Sequence, residues 1–203
     1  MMLPALLLIP LVALLRVLLG WHVATGSTWL IGCMPLSAVA LCAGIYLPRR
    51  WSLIVPLGIL LISDWIIDAH FGTAFFTGAM LVRYVLLAVI GVGGMFQRAT
   101  PCGRRPLPVL LSAVLCATLF YVVSIVFTWL GSPDYAQSLT GLGQALTIGL
   151  PGYPPSYLFY RNALVSDLLY TILFMACVDS SLHGTKRASK SLPQTSVASL
   201  VDV

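Results

Sequence analysis

Five charged side chains stand inside apolar runs that are each about 20 residues long, the length that crosses a bilayer: Arg16, Asp64, Arg83, Arg161 and Asp167. A charge facing lipid at mid-depth costs on the order of 3 kcal/mol. Each must therefore turn into a helix bundle, pair with another charge, or stretch its head to the headgroup layer. Two carboxylates and several guanidiniums inside one bundle offer two kinds of chemistry. They can form a salt-bridge network that fixes helix register, or line a polar site that holds a small charged molecule. Asn162, five residues before Asp167, adds an amide to that set.

The elements that must position these groups follow from the composition. Of 203 residues, 59 % are hydrophobic and only 8 % charged, against about a quarter charged in soluble domains. Such a chain cannot cover a water-facing surface. This excludes a soluble enzyme, a disordered segment and a secreted disulfide scaffold, and argues against nucleic-acid binding despite a net charge of +5. The six acidic residues are all Asp, so wet helical faces, which use Glu heavily, are nearly absent. The expected fold is all-α: a polytopic membrane protein, a compact bundle of six transmembrane helices in the lipid bilayer. The spans are expected at about 3–20, 28–47, 51–68, 72–96, 107–130 and 158–178, within a single domain over 1–180. The first span lacks a positive leader and an Ala-x-Ala cleavage pattern, and is read as a helix rather than a signal peptide. Residues 131–157 read as an outer loop with a short interfacial helix in the stretch from Leu139 to Leu150, and residues 181–203 as a partly mobile cytoplasmic tail.

Eight of the eleven basic residues fall on alternate connections: Arg49 and Arg50; Arg98, Arg104 and Arg105; Lys186, Arg187 and Lys190. Under the positive-inside rule this places both termini in the cytoplasm of a multi-pass protein of a bacterial inner membrane. Trp21, Trp29, Trp51, Trp65 and Trp129 lie near span ends, at the level of interfacial aromatic belts. With 1.5 Å of rise per residue, Arg16 and Asp64 lie roughly 20 Å above the inner side, and Arg83 and Asp167 roughly 16 and 13 Å below the outer side. The expectation is one internal network of Arg16, Asp64, Arg83 and Asp167, either joining helices or forming, with Asn162, a polar site reached from the outer face.

Small residues mark where helices can approach: Ser37, Ala40 and Gly44 on the second span, Ala88, Gly91 and Gly94 on the fourth. These faces suit internal packing or a partner subunit equally. No catalytic set, phosphate loop or dinucleotide fingerprint is present, and Gly91-Val92-Gly93-Gly94 lacks the strand–helix setting that such a fingerprint needs. No metal site is assigned, since a polar turn accounts for Asp68 and His70. The five cysteines have no framework spacing and read as small apolar residues.

The order of Arg16, the run from Met34-Pro35-Leu36-Ser37 to Gly44, Ser63-Asp64 closing a span, and Asn162 with Asp167 resembles a family of uncharacterised bacterial six-span membrane proteins. That family is similar to the S-components of energy-coupling-factor transporters. The resemblance covers roughly Arg16 to Val178. It implies a six-helix bundle that captures a small nutrient, such as a vitamin, a precursor or a metal, and meets a transmembrane coupling subunit. One departure bears on the partner: Ala5 and Ala13 stand eight apart, where S-components often carry an Ala-x-x-x-Ala pair to meet the coupling subunit. The alternative is a structural or accessory subunit of a larger membrane complex, its charged cluster serving only to join helices. On either reading no reaction is expected, the cofactor is unknown, and the partners are the bilayer, a transmembrane protein and a small polar ligand.

Overall fold

The structure is a computed structural model that describes residues 3–24, 32–72 and 77–190. Seven helices are present there and no strand: α1 (Leu3–Ala24), α2 (Leu36–Tyr46), α3 (Ile54–Phe71), α4 (Gly78–Ala99), α5 (Pro106–Gly131), α6 (Leu139–Leu146) and α7 (Ser156–Lys190). Four are long and apolar enough to cross a membrane: Ile54–Phe71, Gly78–Ala99, Pro106–Gly131 and the Ser156–Ser180 part of α7. Leu7–Trp21 and Leu36–Tyr46 are shorter apolar stretches. The outward faces of α1, α3, α4 and α5 are mainly apolar. Leu7, Ile54, Leu81, Phe96, Leu107 and Leu115 are all more than half exposed, the pattern of helices bathed in lipid rather than water.

Several helices begin or end away from their sequence-expected limits, for local reasons. Pro35 does not lie inside the second helix. It caps it, and α2 starts at Leu36, because proline lacks an N–H and its ring clashes with a preceding helical turn. Residues 28–31, expected to begin that span, lie outside the described residues, as do 73–76 of the expected fourth span and 191–203 of the tail. α4 starts at Gly78 rather than residue 72, where the Thr77 side chain accepts a bond from the Met80 N–H at 3.2 Å. α5 begins with Pro106 in its first turn, where a missing N–H costs nothing. α7 continues as helix to Lys190, well past residue 178.

The short helix α2 is the axle of the bundle. Every residue from Leu36 to Ile45 is buried, and α4, α5, α7 and α3 pack around it. Its Ser, Ala and Gly side chains are what let the neighbours close in. The tightest approach is to α4. A Cβ on Gly94 would lie 2.7 Å from the Leu41 carbonyl oxygen, and one on Gly44 would overlap the Gly91 carbonyl oxygen. Two cores flank the axle. Ile9, Val12, Val39, Cys42 and Phe174 fill the α1–α7 side, and Leu41, Leu60, Leu87, Ile90 and Val109 the α3–α4–α5 side.

The bundle has two distinct ends. At one, the connection carrying Arg49 and Arg50 meets the last turn of α4 and the connection carrying Arg104 and Arg105, joined by an Arg98 Nη1 bond to the Leu47 carbonyl at 2.7 Å. α1 and α3 run side by side away from that basic end, with Arg16 beside Ser63, Gly20 against Ile67, and the Trp21 and His70 rings 5.2 Å apart. α6 and the connections around it close the opposite end. Tyr121 of α5 donates to the Leu146 carbonyl at 2.7 Å.

Candidate functional site

The start of α2 sets the site. α2 has 11 residues, roughly 16 Å of helix, and its last turn is at the basic end. Its first turn is therefore deep in the bundle, with orphan N–H groups that need a partner there. Pro35 offers no side-chain cap. Asp167, on the facing side of α7, supplies one: Oδ1 accepts the Ala38 N–H at 3.1 Å, and Oδ2 accepts the Ser37 hydroxyl at 2.5 Å. The positive end of a helix dipole favours a carboxylate there. Asp167 is 1 % exposed. It forms no ion pair among the described residues, where both ion pairs are made by Asp64.

A cavity of about 420 Å³ opens above this cap, toward the end opposite the basic connections. Gly32, Met34, Leu36 and Ser37 form one wall, and Ala117, Phe120, Tyr121, Ser124 and Thr128 of α5 a second. Phe159, Ala163 and Asp167 of α7 form a third, and Ser132, Tyr135, Gly149, Tyr153 and Pro154 the mouth. Gly32 adopts a left-handed φ of 75°, and a Cβ there would press to 3.1 Å on the Phe159 backbone. Glycine at this position thus lets the lead-in to α2 lie flat against α7. The walls are mainly apolar and aromatic, with hydroxyls near the mouth and the Ser37–Asp167 pair as floor.

The other charges form a separate node between α1, α3 and α4. Asp64, 3 % exposed, meets Arg16 through Oδ1, and through Oδ2 takes bonds from Arg83 Nη2 at 2.7 Å and the Tyr84 hydroxyl at 2.8 Å. Arg16 also donates to Ser63 Oγ at 2.7 Å, while its Nε is buried without a partner. Two guanidiniums share one carboxylate, so the node carries a formal charge of +1. Arg83, with 32 % of its side chain exposed, is its outlet.

The single network expected from similar depths is thus two networks. Arg16, Asp64 and Arg83 meet; Asp167 does not join them. Depth along an axis says nothing of the direction in which a side chain points, and the start of α2 at Leu36 claims Asp167 for a cap. Arg161 lies exposed on α7 and donates to the neighbouring Asn162 Oδ1 at 3.2–3.3 Å. Asn162 is buried about a turn and a half above the cavity floor's Asp167 and is not among the residues lining the cavity. Of the small residues, Ala40, Gly44, Gly91 and Gly94 serve the α2–α4 crossing, Ser37 serves the cap, and Ala88 is half-buried on α4. The α5 residues lining the cavity are not among those expected from sequence. Their signal is there: Tyr121, Ser124 and Thr128 repeat at three and four residues in an otherwise apolar helix, a polar stripe on one face.

The chain belongs to a family of unknown function, DUF6580, whose model matches residues 1–189. No curated protein and no solved structure matches it.

Proposed function

We propose that this chain is a substrate-binding subunit of a membrane uptake system of the energy-coupling-factor type, and that it takes a small nutrient into the bundle from the end opposite the basic connections. One observation carries the reading: the 420 Å³ cavity between α5 and α7, which falls within the roughly 300–1,000 Å³ range of small-molecule sites. Its apolar and aromatic walls suit an organic molecule such as a vitamin or its precursor better than a hydrated metal ion. On this reading the four long helices, with α1 and α2, make six passes. The basic end faces the cytoplasm of a bacterial inner membrane, as the positive-inside rule requires. The orientation has its own test. A version whose one cysteine is Cys102, exposed at the basic end, should label only in permeabilised cells. A version whose one cysteine replaces Asp134 should label in intact cells.

The binding reading is tested by a thermal-shift screen of the detergent-purified protein against vitamins, vitamin precursors and divalent metals. A ligand that binds only the folded protein raises the midpoint by mass action. The expected result is a rise of several degrees for an organic compound, abolished by Ser124→Phe, which fills the cavity. A flat response over the panel, with a stoichiometric protein companion in mild detergent, favours the second reading, an accessory subunit of a larger complex. Arg83 speaks for that reading: its guanidinium, at the edge of a node with a surplus positive charge, suits a carboxylate on a neighbouring membrane helix.

A further inference from the structure

The two buried carboxylates differ in what balances them. Asp64 has two guanidiniums and a phenol. Asp167 has one hydroxyl, one backbone N–H and the first turn of α2, whose dipole is equivalent to roughly half a positive charge. When Asp167 is ionised, about half of its negative charge has no counter-charge in the apolar interior. A carboxylate offers about four lone-pair sites, and the two bonds it accepts leave the others free. Asp167 lines the cavity, whose walls and mouth carry Phe120, Tyr121, Tyr135, Tyr153 and Phe159. Aromatic faces attract cations through the ring quadrupole.

We propose, resting on the cavity's being a binding site, that its occupant is an organic ammonium ion: a primary amine on an aromatic or otherwise apolar skeleton, with the amine against Asp167 and Ser37 and the skeleton between α5 and α7. The ammonium brings the positive charge that the floor lacks. Its three N–H groups reach the free Asp167 lone pairs and the Ser37 oxygen, and its skeleton replaces water along the apolar walls. An anionic nutrient is disfavoured by the same carboxylate. A neutral one supplies no counter-charge to the carboxylate.

The test compares two probes of nearly equal shape, tryptamine and its uncharged analogue indole-3-ethanol, by calorimetry and thermal shift on the detergent-purified protein. Three proteins are used: the parent, Asp167→Asn and Ser124→Phe. Asparagine retains an acceptor for the α2 start but removes the charge, so the variant folds and its cavity persists. Expected is tryptamine bound at least tenfold more tightly than the alcohol by the parent. That preference should be lost in Asp167→Asn while the alcohol's affinity stays the same, and both probes should fail with Ser124→Phe. Equal binding of the two probes by the parent, blocked by Ser124→Phe, would overturn the ammonium assignment and leave the binding site standing. Tryptamine binding unaffected by Asp167→Asn overturns it too. Binding of neither probe overturns it as well, and the broader nutrient screen then decides separately whether the cavity binds anything.

Discussion

Asp64 and Asp167 are the same residue in the same kind of place, 3 % and 1 % exposed inside an apolar bundle, yet they are held by different physics. Asp64 is neutralised by charge. Arg16 and Arg83 reach it from two other helices, and the group ends with a positive surplus. Asp167 is held by backbone. It caps a helix that starts inside the bundle, and no cationic side chain faces it among the described residues. A node held by charge depends on its shared carboxylate, because removing that group strands both guanidiniums. A backbone-capped carboxylate tolerates any short side chain with an acceptor and keeps lone pairs for something else. The first arrangement suits joining α1, α3 and α4. The second, at the floor of a cavity, suits binding.

Substitutions should separate the two regions. The largest effect is expected at the charge node. Asp64→Asn leaves two guanidiniums without a carboxylate and should cost about 3–5 kcal/mol in equilibrium unfolding in detergent. Adding Arg16→Met should recover most of that loss, because Arg16 is buried. Adding Arg83→Gln should recover less, because Arg83 at 32 % exposure can turn to the membrane boundary unaided. Equal rescue by the two would mean that the node does not distinguish its arginines.

Next comes Gly44→Ala, which forces a methyl group against the Gly91 carbonyl. Overpacking of this kind costs about 1–3 kcal/mol. Since α2 contributes to the Asp167 site and not to the node, hydrogen exchange should quicken at Ala38 and stay unchanged at Asp64. Uniform quickening would merge the two regions into one cooperative unit.

Asp167→Ala removes the cap and should cost about 1–3 kcal/mol, the penalty of a buried unsatisfied donor. Asp167→Asn should cost under about 1 kcal/mol, since asparagine caps nearly as well. If both cost the same, charge rather than hydrogen bonding holds α2. The smallest effect is expected from Arg83→Gln alone, within about 1 kcal/mol, because the Arg16–Asp64 pair that remains is balanced. A larger loss would show Arg83 to be as indispensable as Arg16.

Much of this arrangement is legible in the residue order. Apolar runs with charges at alternate breaks announce membrane helices and their two ends, because burial in lipid acts on single residues and leaves its mark on each. The pairing of Arg16, Asp64 and Arg83 was legible too: three charges at related depths have few other places to go. Asp167 was misassigned to that network, and the reason is specific. Read from sequence, Pro35 lay in the middle of a span; in the structure it heads a short helix, and the N–H groups freed there draw Asp167 away. The polar stripe on α5 shows in the spacing of Tyr121, Ser124 and Thr128, but only the position of α7 turns a stripe into a wall.

Composition and periodicity settle what each segment must do: stay in lipid, bury its charges, keep its basic ends together. They act through local free energies that any neighbour satisfies. Which helix satisfies which is decided over long separations, 47 residues between Arg16 and Ser63 and 130 between Ser37 and Asp167. It depends on how each helix is rotated about its axis and on how closely α2 and α4 approach through Gly44, Gly91 and Gly94. Rotation and approach are properties of packed surfaces. So the division of the buried charges into a node and a cap, and the cavity above the cap, arise only when the helices close around α2.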